Sequence, residues 1–183
     1  MLPPEQDFDA VTLAALRARA GDPEAATAFV RACQGDVWRL CAHLGNSRDA
    51  EDLTQETFAR AFASLHRFAG RSSARTWLLS IARRVCADAI RTRRPSTPVA
   101  DLEPPGRAAD PADTVSLRLL LDSLDAPFRE AFVLTQVLGL AYAEAAEVIG
   151  CPVGTIRSRV ARARDALVAG LGEGGTRAAR GTG

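Results

Sequence analysis

The 183-residue chain contains no lysine, so arginine supplies all 23 of its cationic side chains against 22 Asp plus Glu. Aromatics make up only 5%, histidine occurs twice, cysteine four times, and no apolar run is long enough to cross a membrane. These scarcities exclude several classes. Without a spanning segment the sequence does not read as a helical membrane protein. Its start carries Glu5, Asp7 and Asp9 where a secretory signal would be basic and then apolar, so a cytoplasmic location is expected. Cys33, Cys41, Cys86 and Cys151 lack CxxC spacing and are few for a disulfide scaffold, which makes them structural thiols. Cys41 and His43, two apart on a helix, point about 200° apart and cannot share a metal. No metal and no cofactor are expected. With no Gly-rich phosphate loop and no histidine-centred cluster, the chain does not read as an enzyme. The missing lysine itself has two readings. It is either the mark of a GC-rich genome, which also favours the 35 alanines, or a use of Arg for phosphate and base-edge recognition.

What is present is globular and helical. A hydrophobic share of 47% with 25% charged residues suits one ordinary domain or two small ones, and the alanine content favours helix over sheet. The net charge of +1 conceals a block pattern. Glu5 to Glu56 carries five Arg against ten acids, whereas Arg60 to Arg94 carries nine Arg against Asp88 alone. Asp101 to Glu130 then has three Arg against seven acids, and Arg157 to Arg164 four Arg and no acid. Two separated Arg blocks suit two contacts with one polyanion, and the acidic blocks suit a different, basic partner.

Start and stop signals place the helices. A short one spans about Asp9 to Ala20, ended by Gly21. Asp22 with Pro23 opens a second that Gly45-Asn46 closes, with Phe29, Val30, Cys33, Val37, Leu40, Cys41 and Leu44 as its apolar stripe. A third runs from about Arg48 to Phe68, capped by Ser47 and stopped by Gly70, and a fourth from about Thr76 to Arg93. Six prolines and glycines between Pro95 and Pro111 read as an extended linker. Helices near Asp113 to Ser123, Ala126 to Leu138, Ala141 to Ile149 and Val153 to Ala169 follow, before a Gly-rich tail. The expected fold is all-α, two small helical domains joined by a Pro-rich flexible linker.

Three helix faces carry chemistry. On the third helix Asp49, Asp52 and Glu56 share about 60° of arc beside Gln55, Phe58 and Phe62. That face is either plain solvated surface or a dock for a basic, partly apolar helix. On the fourth, Arg83, Arg84, Arg91 and Arg94 form a basic rail opposite a buried arc of Leu78, Leu79, Ile81, Ala82, Val85, Cys86, Ala89 and Ile90. Phe68, Arg71, Arg75 and Trp77 precede the rail, and cations interleaved with aromatics suit a nucleic-acid single strand unless both rings are core. Near the C-terminus, Ala146, Gly150 and Ile156 mark a helix-turn-helix. Ile156, Val160, Ala163 and Leu167 anchor its second helix, and Arg157, Ser158, Ala161 and Arg162 lie on the side a major groove would meet.

The runs Asp49-Ala-Glu-Asp-Leu-Thr-Gln-Glu-Thr-Phe58, Thr76-Trp-Leu-Leu-Ser-Ile-Ala-Arg83 and Gly150-Cys-Pro-Val-Gly-Thr-Ile-Arg-Ser-Arg-Val-Ala-Arg-Ala-Arg164 resemble the extracytoplasmic-function (ECF, group IV) sigma factors of bacterial RNA polymerase, within the sigma-70 family. The resemblance implies a sigma2-type four-helix domain over 1–94, a linker over 95–112, a sigma4-type helix-turn-helix domain over 113–171 and a disordered tail over 172–183. It implies core RNA polymerase as partner through its largest and second-largest subunits, promoter DNA in both duplex and single-stranded form, and an anti-sigma factor as inhibitor. Family core-binding positions fall on Asp52, Gln55, Glu56, Phe58 and Phe62. The minus-ten positions fall on Phe68, Arg71, Arg75, Trp77, Arg83, Arg84, Arg91 and Arg94, and the minus-thirty-five positions on Thr155, Arg157, Ser158, Ala161 and Arg162. Arg84 stands where relatives commonly carry Asn, and Ala161 where some carry a bulkier residue. The rival reading is a stand-alone helix-turn-helix repressor, which would protect palindromic half-sites without polymerase. Arg blocks in two separate domains and the otherwise idle acidic stripe disfavour it.

Overall fold

The structure, a computed structural model, describes residues 8–45, 47–92 and 118–178. All regular elements among these residues are helical, and they gather into two compact units, one within residues 8–92 and the other within 118–178. The expected linker over 95–112 lies outside the described residues.

In the first unit, the first two helices begin at residues whose side chains satisfy orphan backbone donors. Helix α1 (Ala10–Arg19) is capped by Asp9, which accepts from the Thr12 N–H at 2.9 Å and the Thr12 hydroxyl at 2.7 Å. Helix α2 (Pro23–Leu44) is capped by Asp22, which accepts from the N–H groups of Glu24 and Ala25, both at 3.0 Å, with Pro23 in the first turn. The expected stripe on α2 is the centre of the core. Phe29, Val37, Leu40 and Cys41 are fully buried and Cys33 nearly so, each large side chain contributing about 1.5–3 kcal/mol. Val30 and Leu44 sit at its half-buried rim.

The third helix departs from its expected bounds at both ends. A 3-10 turn, Ser47–Asp49, precedes α3 (Ala50–Ser64), and Asp49 makes no side-chain cap bond. At the other end the chain tightens into a second 3-10 turn, Leu65–Arg67, and Phe68 is extended at φ −67° and ψ 114°. The reason is packing: Phe68 turns inward until 3% exposed, its ring centroid 4.9 Å from that of Trp77. Burial of the ring outweighs another helical turn. Helix α4 (Ala74–Thr92) starts earlier than expected, because Ser73 accepts from the Thr76 N–H at 3.1 Å. Leu78, Leu79, Ile81, Ala82, Val85 and Cys86 are buried as the pattern requires, but Ala89 is only half-buried and Ile90 is 56% exposed.

The second unit opens with helical residues 118–122 (α5), and Arg129 closes their end: its Nη2 donates to the Asp122 carbonyl at 2.8 Å and to that of Leu124, in the bend just beyond, at 3.1 Å. Helix α6 (Ala126–Phe132) was expected to continue regularly to Leu138. Instead it widens into a π-type turn, Val133–Val137, where the Leu138 N–H reaches the Val133 carbonyl at 2.9 Å. The Thr135 hydroxyl donates to the Ala131 carbonyl at 2.8 Å, a side-chain competitor for the helix ladder. Helices α7 (Tyr142–Ile149) and α8 (Val153–Ala178) complete the unit. Gly150 between them has φ +78°, the left-handed conformation that ends α7. Helix α8 runs beyond Ala169 through four glycines to Ala178, so the tail expected to be disordered from residue 172 is helical that far, and residues 179–183 lie outside the described residues. Each of these glycines costs about 1 kcal/mol relative to Ala but, unlike Pro, keeps its backbone donor.

Candidate nucleic-acid and partner interfaces

The acidic face of α3 is exposed. Asp52, Gln55 and Glu56 all stand in solvent, Phe62 is 40% exposed, and Phe58 is half-buried with its edge on the Phe29 ring at 6.5 Å between centroids. Phe62 lines an open depression with Ala26, Thr27, Val30 and Arg31 of α2, so an apolar hollow adjoins the carboxylates. The acids differ in one respect that spacing did not reveal. Glu56 accepts from Arg60 at 2.7 Å, Arg60 also bonds Asp88 of α4 at 2.8 Å, and Asp88 accepts from Arg91 at 2.7 Å. The hydrogen bond from Arg60 is the main reason the Asp88 carboxyl lies below its ordinary range. Asp52 takes no part in this chain.

Around the α3–α4 loop the structure separates the expected residues into two groups. Arg71 is exposed on the loop, Arg84 and Arg91 on α4, while Arg83 and Trp77 are half-buried. Phe68 is core, so its ring face is not available to a base. Arg75 is turned toward α2, its Nε 2.7 Å from Asp36, which also accepts from Arg39 at 3.0 Å. Arg94 lies outside the described residues. Among the described residues no cluster of His, Cys, Asp or Glu is placed to hold a metal. Cys33, Cys41 and Cys86 are buried thiols, and burial pushes Cys33 up to about 12. Cys151, in the turn between α7 and α8, is half-buried.

In the second unit Ile156, Val160 and Ala163 are buried to within 1% and Leu167 is half-buried, so α8 is fixed by the expected face. Ala145 and Ala146 of α7 are small enough for the close crossing that a helix-turn-helix needs. On the opposite side Arg157, Ser158, Ala161 and Arg162 are exposed and Thr155 is half-buried. The Ser158 hydroxyl donates to the Thr155 carbonyl at 3.0 Å, leaving its lone pairs outward, and the Arg162 guanidinium sits 5.9 Å from the centre of the Phe128 ring. Arg164, part of the same basic run, is tied to Gln136 at 2.8 Å. It closes the Arg block counted from the sequence, and its bond joins α8 to the π-type turn.

A helix pair with a left-handed turn and an exposed Arg-rich second helix defines a helix-turn-helix protein, here preceded by a separate helical unit with an acidic face. Comparison with known proteins narrows the class. The profile of sigma-70 region 2 matches residues 29–95, and that of sigma-70 region 4 matches 114–167. The ECF RNA polymerase sigma factor SigC of Mycobacterium tuberculosis (strain CDC 1551 / Oshkosh) is 52% identical over 170 residues, covering 89% of this chain and 92% of that protein. The ECF RNA polymerase sigma-E factor of Escherichia coli (strain K12) is 32% identical, covering 82% and 88% respectively. Among solved structures, CnrH in complex with the cytosolic domain of CnrY superposes with a TM-score of 0.75 at 28% identity, covering 90% of this chain and 99% of that one. The sigma factor RpoE in complex with the anti-sigma factor NepR from Bartonella quintana gives 0.66 at 30% identity, covering 75% and 91%. The chain belongs to the ECF sigma factors of the sigma-70 family.

Proposed function

We propose that the protein is an alternative sigma factor of the group IV type that directs core RNA polymerase to specific promoters, without catalysis of its own. The observation that carries this is the succession of a region 2 match and a region 4 match along one chain, the second with its recognition helix exposed. In this reading the domains are 1–94 and 113–171. The exposed Asp52, Gln55 and Glu56, with Phe58 and Phe62 at the apolar hollow, meet a basic helical element of core polymerase. Arg157, Ser158, Ala161 and Arg162 read the minus-thirty-five duplex, where Arg pairs with guanine edges or phosphates. Arg71 and the α4 rail of Arg83, Arg84 and Arg91, with Arg94 beyond the described residues, hold the minus-ten strand, offsetting the cost of unstacking a base by contacts to phosphate. Held together on polymerase, each unit presents the other with its DNA site at high effective concentration. The factor acts in the cytoplasm, and an anti-sigma factor is its natural inhibitor, as supported by the likeness to RpoE bound to NepR. Transcription by core polymerase on a randomised promoter library tests the reading. Specific initiation that depends on the added protein is expected; normal core binding with no specific initiation refutes it.

A further inference from the structure

We propose that α1 and α2 clamp the loop between Phe68 and Ser73 in a single conformation, which makes Thr12, Arg19 and Asp36 positioning residues for minus-ten recognition. The proposal rests on the reading of that loop as the minus-ten reader.

The local hydrogen bonds of the loop are confined to its ends, where the Phe68 N–H donates to the Leu65 carbonyl at 3.0 Å and the Ser73 hydroxyl donates to that of Thr76 at 2.9 Å and accepts from the Thr76 N–H at 3.1 Å, and further anchors come from across the unit. At its entry the Arg19 Nη1 of α1 donates to the Phe68 carbonyl at 2.6 Å. At its exit the Ala74 N–H, an orphan donor of the first turn of α4, is accepted at 2.9 Å by the Thr12 hydroxyl of α1. That hydroxyl is oriented by its own donation to Asp9, and Thr12 is only 1% exposed. One residue further on, Arg75 is held by Asp36 of α2. Midway, Gly70 lies under the Phe8 ring so closely that a Cβ there would come within 3.2 Å of it. Between these anchors Ala69 and Arg71 are left exposed.

These bonds are polar and aim at loop backbone or at the first turn of α4, whereas the helices themselves are joined by the apolar core of Phe29, Val37, Leu40, Leu78 and Leu79. Loss of an anchor therefore loosens the loop before it loosens the bundle. A loop already ordered in the free protein does not pay its ordering entropy when it captures DNA, which is the general advantage of preorganisation. Arg75 acts here through Asp36, holding the loop exit, rather than by touching DNA.

The test uses holoenzyme assembled from the full chain and core polymerase. Its probe is a single-stranded DNA library randomised at its centre, from which wild-type holoenzyme first selects its preferred sequence. Thr12→Val and Arg19→Gln are expected to lower affinity for that sequence about tenfold, one ordered residue's worth of backbone entropy. They should also flatten its base preference and speed amide hydrogen exchange over residues 69–73, while core affinity stays within twofold. Thr12→Ser and Arg19→Lys, which keep a hydroxyl and a donor, should restore all three. Faster exchange with undiminished base preference overturns the clamp and leaves the minus-ten reading standing. Selection of no sequence by the wild-type holoenzyme overturns both. A parallel loss of core affinity shows that the residues merely hold the domain together, which also overturns the proposal.

Discussion

Replacing Gly70 by alanine, with Gly150→Ala as its control, separates backbone strain from steric contact. Both glycines are left-handed, at φ +69° and +78°, a region that costs a residue bearing Cβ about 1–2 kcal/mol. Alanine also narrows the unfolded ensemble, which returns about 0.4–1 kcal/mol. At Gly150 a Cβ meets nothing within 4 Å, so the net loss should be near 1 kcal/mol, the balance of those two effects. At Gly70 the same Cβ stands 3.2 and 3.3 Å from two Phe8 ring carbons and 3.9 Å from a Leu16 methyl. Forcing the ring aside adds about 1–3 kcal/mol, as overpacking does, for a total of about 2–4. The two units can be followed separately in urea. Trp38 and Trp77 both lie in the first, so indole fluorescence reports it, while Tyr142, the single tyrosine, reports the second, and far-UV circular dichroism follows the sum of the two. Each transition needs its own two-state fit. In the Phe8→Ala background the excess cost of Gly70→Ala should vanish, a double-mutant cycle across one contact. Equal costs at the two glycines, or an excess that survives removal of Phe8, would refute the steric argument.

Three further outcomes are expected. Charge reversal at Asp52 should weaken core polymerase binding more than reversal at Glu56, whose charge is already shared with Arg60, while neither moves the unfolding midpoint; competition binding at two salt concentrations checks both the order and its electrostatic origin. Arg162→Ala should cost about 1–3 kcal/mol on the preferred minus-thirty-five duplex and relax specificity at one base position, measured on a panel of single-base variants. Burial pushes the Asp9 carboxyl up, but hydrogen bonds from the Thr12 hydroxyl and backbone outweigh it and hold the folded pKa below the usual 3.8. Its contribution is thus complete above that value and is lost as pH falls through the folded pKa. The stability advantage of the wild-type first unit over Asp9→Asn should therefore be full above 3.8 and shrink as pH falls, so that urea-unfolding free energies measured against pH differ near neutral and converge on the acid limb.

Much of the architecture was legible because it follows from local rules. Asp9, Asp22 and Gly150 stand where helix ends need them, and the three- and four-residue spacing on α2 and α8 named the buried faces almost residue by residue. What escaped the sequence depended on partners far along the chain. Periodicity carried the third helix on to Phe68, because nothing local says that this ring leaves the helix to meet Trp77. The same spacing put Ile90 in the core, although the last turn of α4 leaves it exposed. In the candidate sites, the composition of each face was readable, but not which cations were already engaged. Arg75 finds Asp36, 39 residues away, and Arg164 finds Gln136, 28 away. A count of Arg per block treats such residues as equivalent to the exposed Arg157, and only the tertiary structure tells them apart.

The π-type turn at Val133–Val137 behaves as a phase shifter in the second unit. A bond spanning five residues instead of four absorbs one residue more than an α-helix would, so the chain beyond it leaves rotated by about 100° from the course a regular helix would impose. Leu138 and Leu140 reach the core in that rotated frame, at 5% and 4% exposure. The length of the turn is therefore not free. Removing a single residue there would restore regular helix and swing both leucines away from the core that orients α7 and the recognition helix. The second unit should accordingly tolerate a change of side chain at the exposed Gln136 better than any change in the residue count of this segment.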